Sequence, residues 1–109
     1  MAYDAALAER VRDRLAAVAG VSEKKMFGGI AFLTYGNMTV GVYRDGLIAR
    51  IDPSTMDAVL AAEPGVRPFD MGGRPMRGWI LVASDALSDD YLERWIDQAR
   101  RHVATLPPK

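Results

Sequence analysis

The sequence contains no cysteine and only one histidine, His102. A chain without thiols cannot form disulfides, thiolate zinc sites, iron–sulfur clusters or a cysteine nucleophile. No serine–histidine–acid grouping and no HExxH spacing can be built around His102, so it completes neither a hydrolytic triad nor a metalloprotease motif. We therefore expect no catalytic residue, no metal site and no cofactor.

An excess of one charge and a long apolar segment are also absent. The 14 basic residues balance the 14 acidic ones, so no global field draws the chain to nucleic acid or to acidic lipid. No apolar run approaches the roughly 20 residues that span a bilayer. Glu9 and Arg10 interrupt the N-terminal segment before a signal sequence can form. We expect a cytoplasmic protein without a membrane partner.

The composition that remains is that of a folded domain. Of the 109 residues, 50% are hydrophobic and 26% are charged, which is ordinary for a globular protein of one domain. We expect a single domain over 1–109, with a loose tail at 107–109 where two prolines precede the last residue.

Hydrophobic periodicity predicts both helices and strands. Apolar residues recur at three- to four-residue steps in two segments, which the capping side chains Asp4 and Ser88 precede. The middle of the chain alternates with a period of two, as half-buried strands do. We predict helices over 4–19, from 53 to about 62 and from 89 onward, strands within 24–52, 66–69 and 77–83, turns at 35–37 and 45–46, and a loop over 70–76. This order predicts an α+β fold, with three helices and an antiparallel sheet of about five to six strands.

The most unusual segment, 68–79, combines three glycines and two prolines with arginines. Backbone N–H groups beside arginines can hold an anion, which favours a binding loop. A tight structural crossover is the alternative, with glycines for positive φ and methionines at the edge of the core. The candidate binding-loop residues are Asp70, Gly73, Arg74, Met76, Arg77 and Trp79.

Arginine supplies eleven of the 14 basic residues, and it suits phosphate and guanine recognition. Arg44, Arg50 and Arg67 form a candidate basic patch if the fold brings them together. The alternative is that these arginines lie on solvated faces and in salt bridges. No helix-turn-helix, zinc finger or aromatic RNA-stacking motif is present.

Two runs of sequence resemble the TfoX (Sxy) N-terminal domain family, and the likeness extends from about residue 4 to 108. The first run is Lys25-Met26-Phe27-Gly28-Gly29-Ile30-Ala31-Phe32, followed by Gly36-Asn37-Met38, Gly41-Val42 and Arg50. The second is Pro64-Gly65-Val66-Arg67-Pro68-Phe69-Asp70 with Gly73-Arg74-Pro75-Met76-Arg77-Gly78-Trp79. Their order along the chain makes the resemblance fairly specific.

The resemblance implies a regulatory role. Named members of the family regulate natural competence together with the cyclic-AMP receptor protein, and they carry a further C-terminal domain. This chain resembles the stand-alone form, and the family has no agreed catalytic residues to transfer. We therefore expect a non-enzymatic interaction module in transcription regulation that binds a protein partner or itself as a homodimer. Direct nucleic-acid binding, and a small enzyme or small-molecule binder, stay open as alternatives.

Overall fold

A six-stranded antiparallel sheet with helices packed on one face makes up the fold. The computed structural model describes residues 3–26, 28–71 and 74–108. In chain order the elements are α1 (Ala5–Leu15), β1 (Val21–Met26), β2 (Gly29–Thr34), β3 (Asn37–Tyr43), β4 (Gly46–Arg50), α2 (Met56–Ala62), β5 (Val66–Met71), β6 (Arg74–Ala83) and α3 (Asp89–Val103). The predicted α+β class, with three helices and an antiparallel sheet, is confirmed.

The strands follow the order β1-β2-β3-β4-β6-β5 across the sheet. The first four form the predicted meander. β6 then pairs with β4, which leaves β5 at the edge. The segment Trp79–Val82 of β6 is apolar on both faces, as expected for a strand that is flanked on both sides.

The prediction of a loop over 70–76 is wrong for most of that segment. β5 extends to Met71 and β6 begins at Arg74, so this segment is a β-hairpin, and Gly72 and Gly73 lie outside the described residues. Proline is tolerated in both strands because β5 is an edge strand and because β4 pairs with β6 only as far as Trp79. The missing N–H of Pro75 therefore breaks no ladder bond to β4.

Left-handed residues close two of the hairpins. Tyr35 and Gly36, with φ of 48° and 85°, join β2 to β3 within the predicted turn. Tyr43 pairs with Gly46, so the next two-residue loop lies at 44–45 rather than at the predicted 45–46. The difference arises because Arg44, with φ 54°, takes the left-handed conformation that glycine usually supplies.

Side-chain caps fix the helix starts where the sequence predicts them. Asp4 Oδ1 accepts a hydrogen bond from the N–H of Leu7 at 3.0 Å, and Ser88 Oγ accepts one from Tyr91 at 3.2 Å. α1 ends at Leu15, before the predicted 19. It ends early because the N–H of Val18 bonds to the carbonyl three residues back, at Leu15, which tightens the chain into a turn.

Both long helices bury an apolar stripe on the same face of the sheet. Leu92 and Trp95 of α3 and Val11 of α1 are fully buried against inward residues of the central strands, Val40 and Leu47 among them. Burial of side chains of this size stabilises a fold by roughly 1.5–3 kcal/mol each. The stability of this fold therefore rests chiefly on the helix-covered face.

Candidate functional site

The opposite face of the sheet carries a second apolar cluster. Three of its members are buried, and four partly buried side chains surround them; the cluster consists of Ile48, Phe69, Leu81, Met38, Tyr43, Met76 and Trp79. Among residues 3–26, 28–71 and 74–108, no helical side chain belongs to it. We call these seven residues the sheet cluster, and we call the surface on which they lie the helix-free face.

Strand register places two arginines beside the sheet cluster. In an antiparallel sheet, directly opposed residues project from the same face. Arg50 is opposite Trp79 across β4 and β6, and Arg67 is opposite Leu81 across β5 and β6. Both arginines therefore share the helix-free face with the apolar residues, Arg50 from β4 and Arg67 from the edge strand.

Two aromatic rings of the sheet cluster come from strands that are not neighbours. The rings of Tyr43 in β3 and Phe69 in β5 meet edge to face, with centroids 5.5 Å apart. In a flat sheet, strands three positions apart lie about 14 Å from each other. The two side chains therefore lean toward each other across β4 and β6, and they help to enclose the buried residues.

A bulge in β6 shapes one end of the helix-free face. Pro68 pairs with Ile80 and Asp70 pairs with Pro75, so β6 has the four residues 76–79 where β5 has only Phe69. Gly78, with φ 88°, turns the chain within this bulge. Its N–H donates to Met56 Sδ at 3.2 Å, and its carbonyl accepts from the N–H of Ile51 at 2.8 Å. These bonds hold the bulge against the helix-covered side.

Arginines of the helix-free face stack on aromatic rings. The guanidinium of Arg50 lies 5.1 Å from the ring centroid of Trp79, and that of Arg44 lies 5.3 Å from Tyr43. Within the described ranges, no carboxylate lies within 4.0 Å of Arg44, Arg50, Arg67 or Arg77. Their charges are therefore available to an external anion.

The acidic side chains that form ion pairs within the described residues lie with the helices. Each ion pair of the described residues has at least one helical partner, Arg12 with Glu23 and Arg94 with Glu63 among them. Hydrogen bonding to Arg12 lowers the pKa of Glu23, and hydrogen bonds from Tyr91 and Arg94 lower that of Glu63. The six strands hold six basic residues (two lysines, four arginines) and two acidic ones. A neutral chain thus has a basic sheet.

The structure brings most of the two predicted residue groups onto one surface. Met76 and Trp79 of the predicted binding loop belong to the sheet cluster, and Arg77 is exposed in the bulge. From the predicted basic patch, Arg50 and Arg67 lie beside them and Arg44 stacks at the edge.

Two other predicted residues lie toward the hairpin end of β5 and β6. Asp70 is exposed at the end of β5, and Arg74 begins β6. Gly73 lies outside the described residues. Sequence reasoning missed Met38 and Tyr43, for which the only signal is alternation within β3.

In the part of the chain that the structure describes, no group of three or more histidine, aspartate or glutamate side chains is arranged to hold a metal ion. In the same part of the chain, each helix is too short or too polar to cross a membrane.

Comparison with known proteins identifies a family whose sequence pattern matches most of the chain. Residues 13–103 of the 109 match the TfoX N-terminal domain. No curated protein and no solved structure matches the chain. The matched region extends from within α1 to the last residue of α3, so it contains the whole sheet and the helix-free face. The chain belongs to the TfoX N-terminal domain family.

Proposed function

We propose that this chain is a non-enzymatic interaction module that acts in transcription regulation by binding a protein partner through the helix-free face. The supporting observation is an apolar cluster built only from strand residues and flanked by arginines that have no carboxylate within 4.0 Å among the described residues. The regulatory context follows from the role that the TfoX resemblance implies.

The chemistry of the face favours an acidic partner segment with aromatic or aliphatic side chains. Aromatic, methionine and arginine side chains are enriched in protein interfaces, and a few such residues carry most of the binding energy. Met38 and Met76 can adapt to the shape of an apolar side chain. Arg50 and Arg67 lie beside the cluster, where they can bind carboxylates bidentately.

Peptide display against the immobilised protein tests this proposal. We expect the selected peptides to combine aspartate or glutamate with an aromatic or aliphatic anchor. Arg67→Glu reverses one charge on the helix-free face and should weaken binding of those peptides at least about tenfold.

The matched control is Lys25→Glu. Lys25 is also an exposed strand cation, but it is opposite Ile30, which lies in the core under the helices. This control should bind like the wild type. Selected peptides without acidic residues, or equal losses in the two variants, would contradict the proposal.

A second copy of the chain is the other partner to consider. Light scattering over a concentration series measures self-association. If the protein is a dimer whose mass falls to that of a monomer in Arg67→Glu but not in Lys25→Glu, the partner at this face is the protein itself.

Nucleic-acid binding is the second candidate function, and the basic character of the strands favours it. Arg50 and Arg44 already cover one face of Trp79 and of Tyr43, which leaves less ring surface for base stacking. Fluorescence anisotropy with mixed-sequence DNA and RNA, at low and at physiological salt, decides between the two. Nucleic-acid binding requires an affinity that falls steeply with salt and is lost in Arg50→Ala with Arg67→Ala.

A further inference from the structure

A cavity of about 720 Å³ lies on the helical side of the molecule, separate from the helix-free face. It lies between the C-terminal half of α3, the turn after α1 and the turn between β2 and β3. Its apolar wall includes Val18, Val103 and Leu106. Its polar wall includes Arg100 and Arg101. Its volume is within the range of small-molecule sites.

Tyr35 lines this cavity from the first position of the turn between β2 and β3. It has φ 48° and precedes Gly36 in a two-residue turn, where asparagine is the usual residue at the first position. Its side chain is 55% exposed. A Cβ at Gly20 would lie 2.5 Å from the ring, so glycine at that position makes room for the ring. The turn thus presents an exposed aromatic ring to the cavity.

The lining of the cavity has two cationic side chains, Arg100 and Arg101, and one anionic side chain, Asp97. Arg101 has no carboxylate within 4.0 Å among the described residues, whereas Arg100 has only Asp97, at 3.9 Å. The carbonyls of the last turn of α3 accept bonds from the N–H groups of residues 104–106. These bonds reduce the negative potential of the helix end beside the two arginines.

One wall of the cavity is formed by the segment after α3. Asn37 is almost fully buried, and its side-chain N–H donates to the carbonyl of Pro107 at 2.9 Å. This bond fixes the segment that carries Leu106 against the turn that carries Tyr35. The cavity is thus held in shape by contacts that are independent of the helix-free face.

We propose that this cavity binds a small anion with a flat aromatic body. The ring of the ligand packs between Tyr35 and the apolar wall at Val103 and Leu106, and its carboxylate or phosphate pairs with Arg101 and Arg100. The site is distinct from the surface assigned to the protein partner.

Isothermal titration calorimetry with three probes of similar shape tests the proposal. The probes are naphthoate, naphthyl phosphate and the uncharged alcohol naphthylmethanol. We expect at least one of the two anions to bind at least about tenfold more tightly than the alcohol. The stronger of the two identifies the anionic group. No heat from either anion, or equal affinity for the alcohol, would overturn the proposal.

Three variants locate the binding. Arg101→Gln should weaken the anion at least about fivefold, and so should Tyr35→Asn. Asparagine suits the left-handed turn, so Tyr35→Asn should keep its melting temperature and show that the loss is not one of folding. Lys25→Gln removes an exposed cation at the far end of β1 and should bind like the wild type. Unchanged binding in Arg101→Gln, or an equal loss in Lys25→Gln, would refute the site.

Discussion

Stacking of arginine on aromatic rings distinguishes the helix-free face at the scale of single residues. The guanidinium of Arg50 lies over the ring of Trp79, 5.1 Å from the ring centroid. The edge of the guanidinium keeps its N–H groups, which can form two parallel bonds to one carboxylate. This contact with the ring leaves the positive charge of Arg50 unneutralised.

Arg50→Lys tests whether this geometry matters beyond charge. Lysine keeps the positive charge but can neither stack as a plane nor bind a carboxylate with two parallel bonds. We expect selected acidic peptides to bind about threefold to tenfold more weakly to Arg50→Lys, with little change in thermal stability. Measurement by fluorescence polarisation checks this, and wild-type affinity in the lysine variant would show that charge alone suffices.

Gly78 and Gly28 form a natural pair for measuring the close approach in the β6 bulge. Both have left-handed φ, 88° and 76°. A Cβ at Gly78 would lie 3.0 Å from the carbonyl oxygen of Ile51, whereas a Cβ at Gly28 would have no atom within 4 Å. Left-handed strain alone costs an alanine roughly 1–2 kcal/mol.

Gly28→Ala should therefore lower the free energy of unfolding by about 1 kcal/mol, and Gly78→Ala by about 2–4 kcal/mol. The excess in Gly78→Ala measures the contact with the chain at Ile51. Urea denaturation of both variants provides the comparison. Equal losses would mean that the bulge moves away from the chain at Ile51 without cost.

Among the helices, α2 is linked to α3 by a polar cluster centred on Glu63. The hydroxyl of Tyr91 donates to Glu63 at 2.6 Å, and Arg94 donates to it at 2.9 Å. The side chain of Glu63 is only 18% exposed. These bonds lower the pKa of Glu63 below its ordinary value of 4.5, and burial together with the bond to Glu63 raises that of Tyr91.

A carboxyl group whose pKa is lower in the folded state than in the unfolded state stabilises the fold at pH above its unfolded-state pKa. This contribution disappears as the pH falls through the folded-state pKa. Glu63→Gln should therefore reduce the free energy of unfolding by about 1 kcal/mol near neutral pH. The difference from the wild type should shrink as the pH falls below 4.5. Asp57→Asn, on the exposed side of α2, controls for the loss of one charge. A difference that stays constant down to low pH would contradict this account of Glu63.

For the whole molecule, features that depend on neighbouring residues can be predicted from the sequence, whereas contacts between distant segments cannot. Asp4 and Ser88 cap helices through atoms three residues away, so their roles are visible in the sequence. The position of β6 between β4 and β5 depends on pairing between distant segments. The alternation of apolar and polar residues does not specify that pairing.

The candidate site follows the same division. Arg50, Arg67 and Trp79 could be selected by residue type, but only the register across three strands places them on one face. Contact between Tyr43 and Phe69 depends on side chains that lean across two intervening strands. The cavity at Tyr35 depends on the approach of three segments, so no single stretch of sequence indicates it.

The most direct test of the central claim is amide chemical-shift mapping by NMR with the tightest acidic peptide from the display selection. We expect the largest shifts in β4, β5 and β6, around Ile48, Leu81 and Trp79. The amide signals of α1 and α3, on the other side of the sheet, should change little. Shifts confined to α1 and α3, or shifts equally large in Arg67→Glu, would contradict the assignment of the helix-free face as the interaction surface.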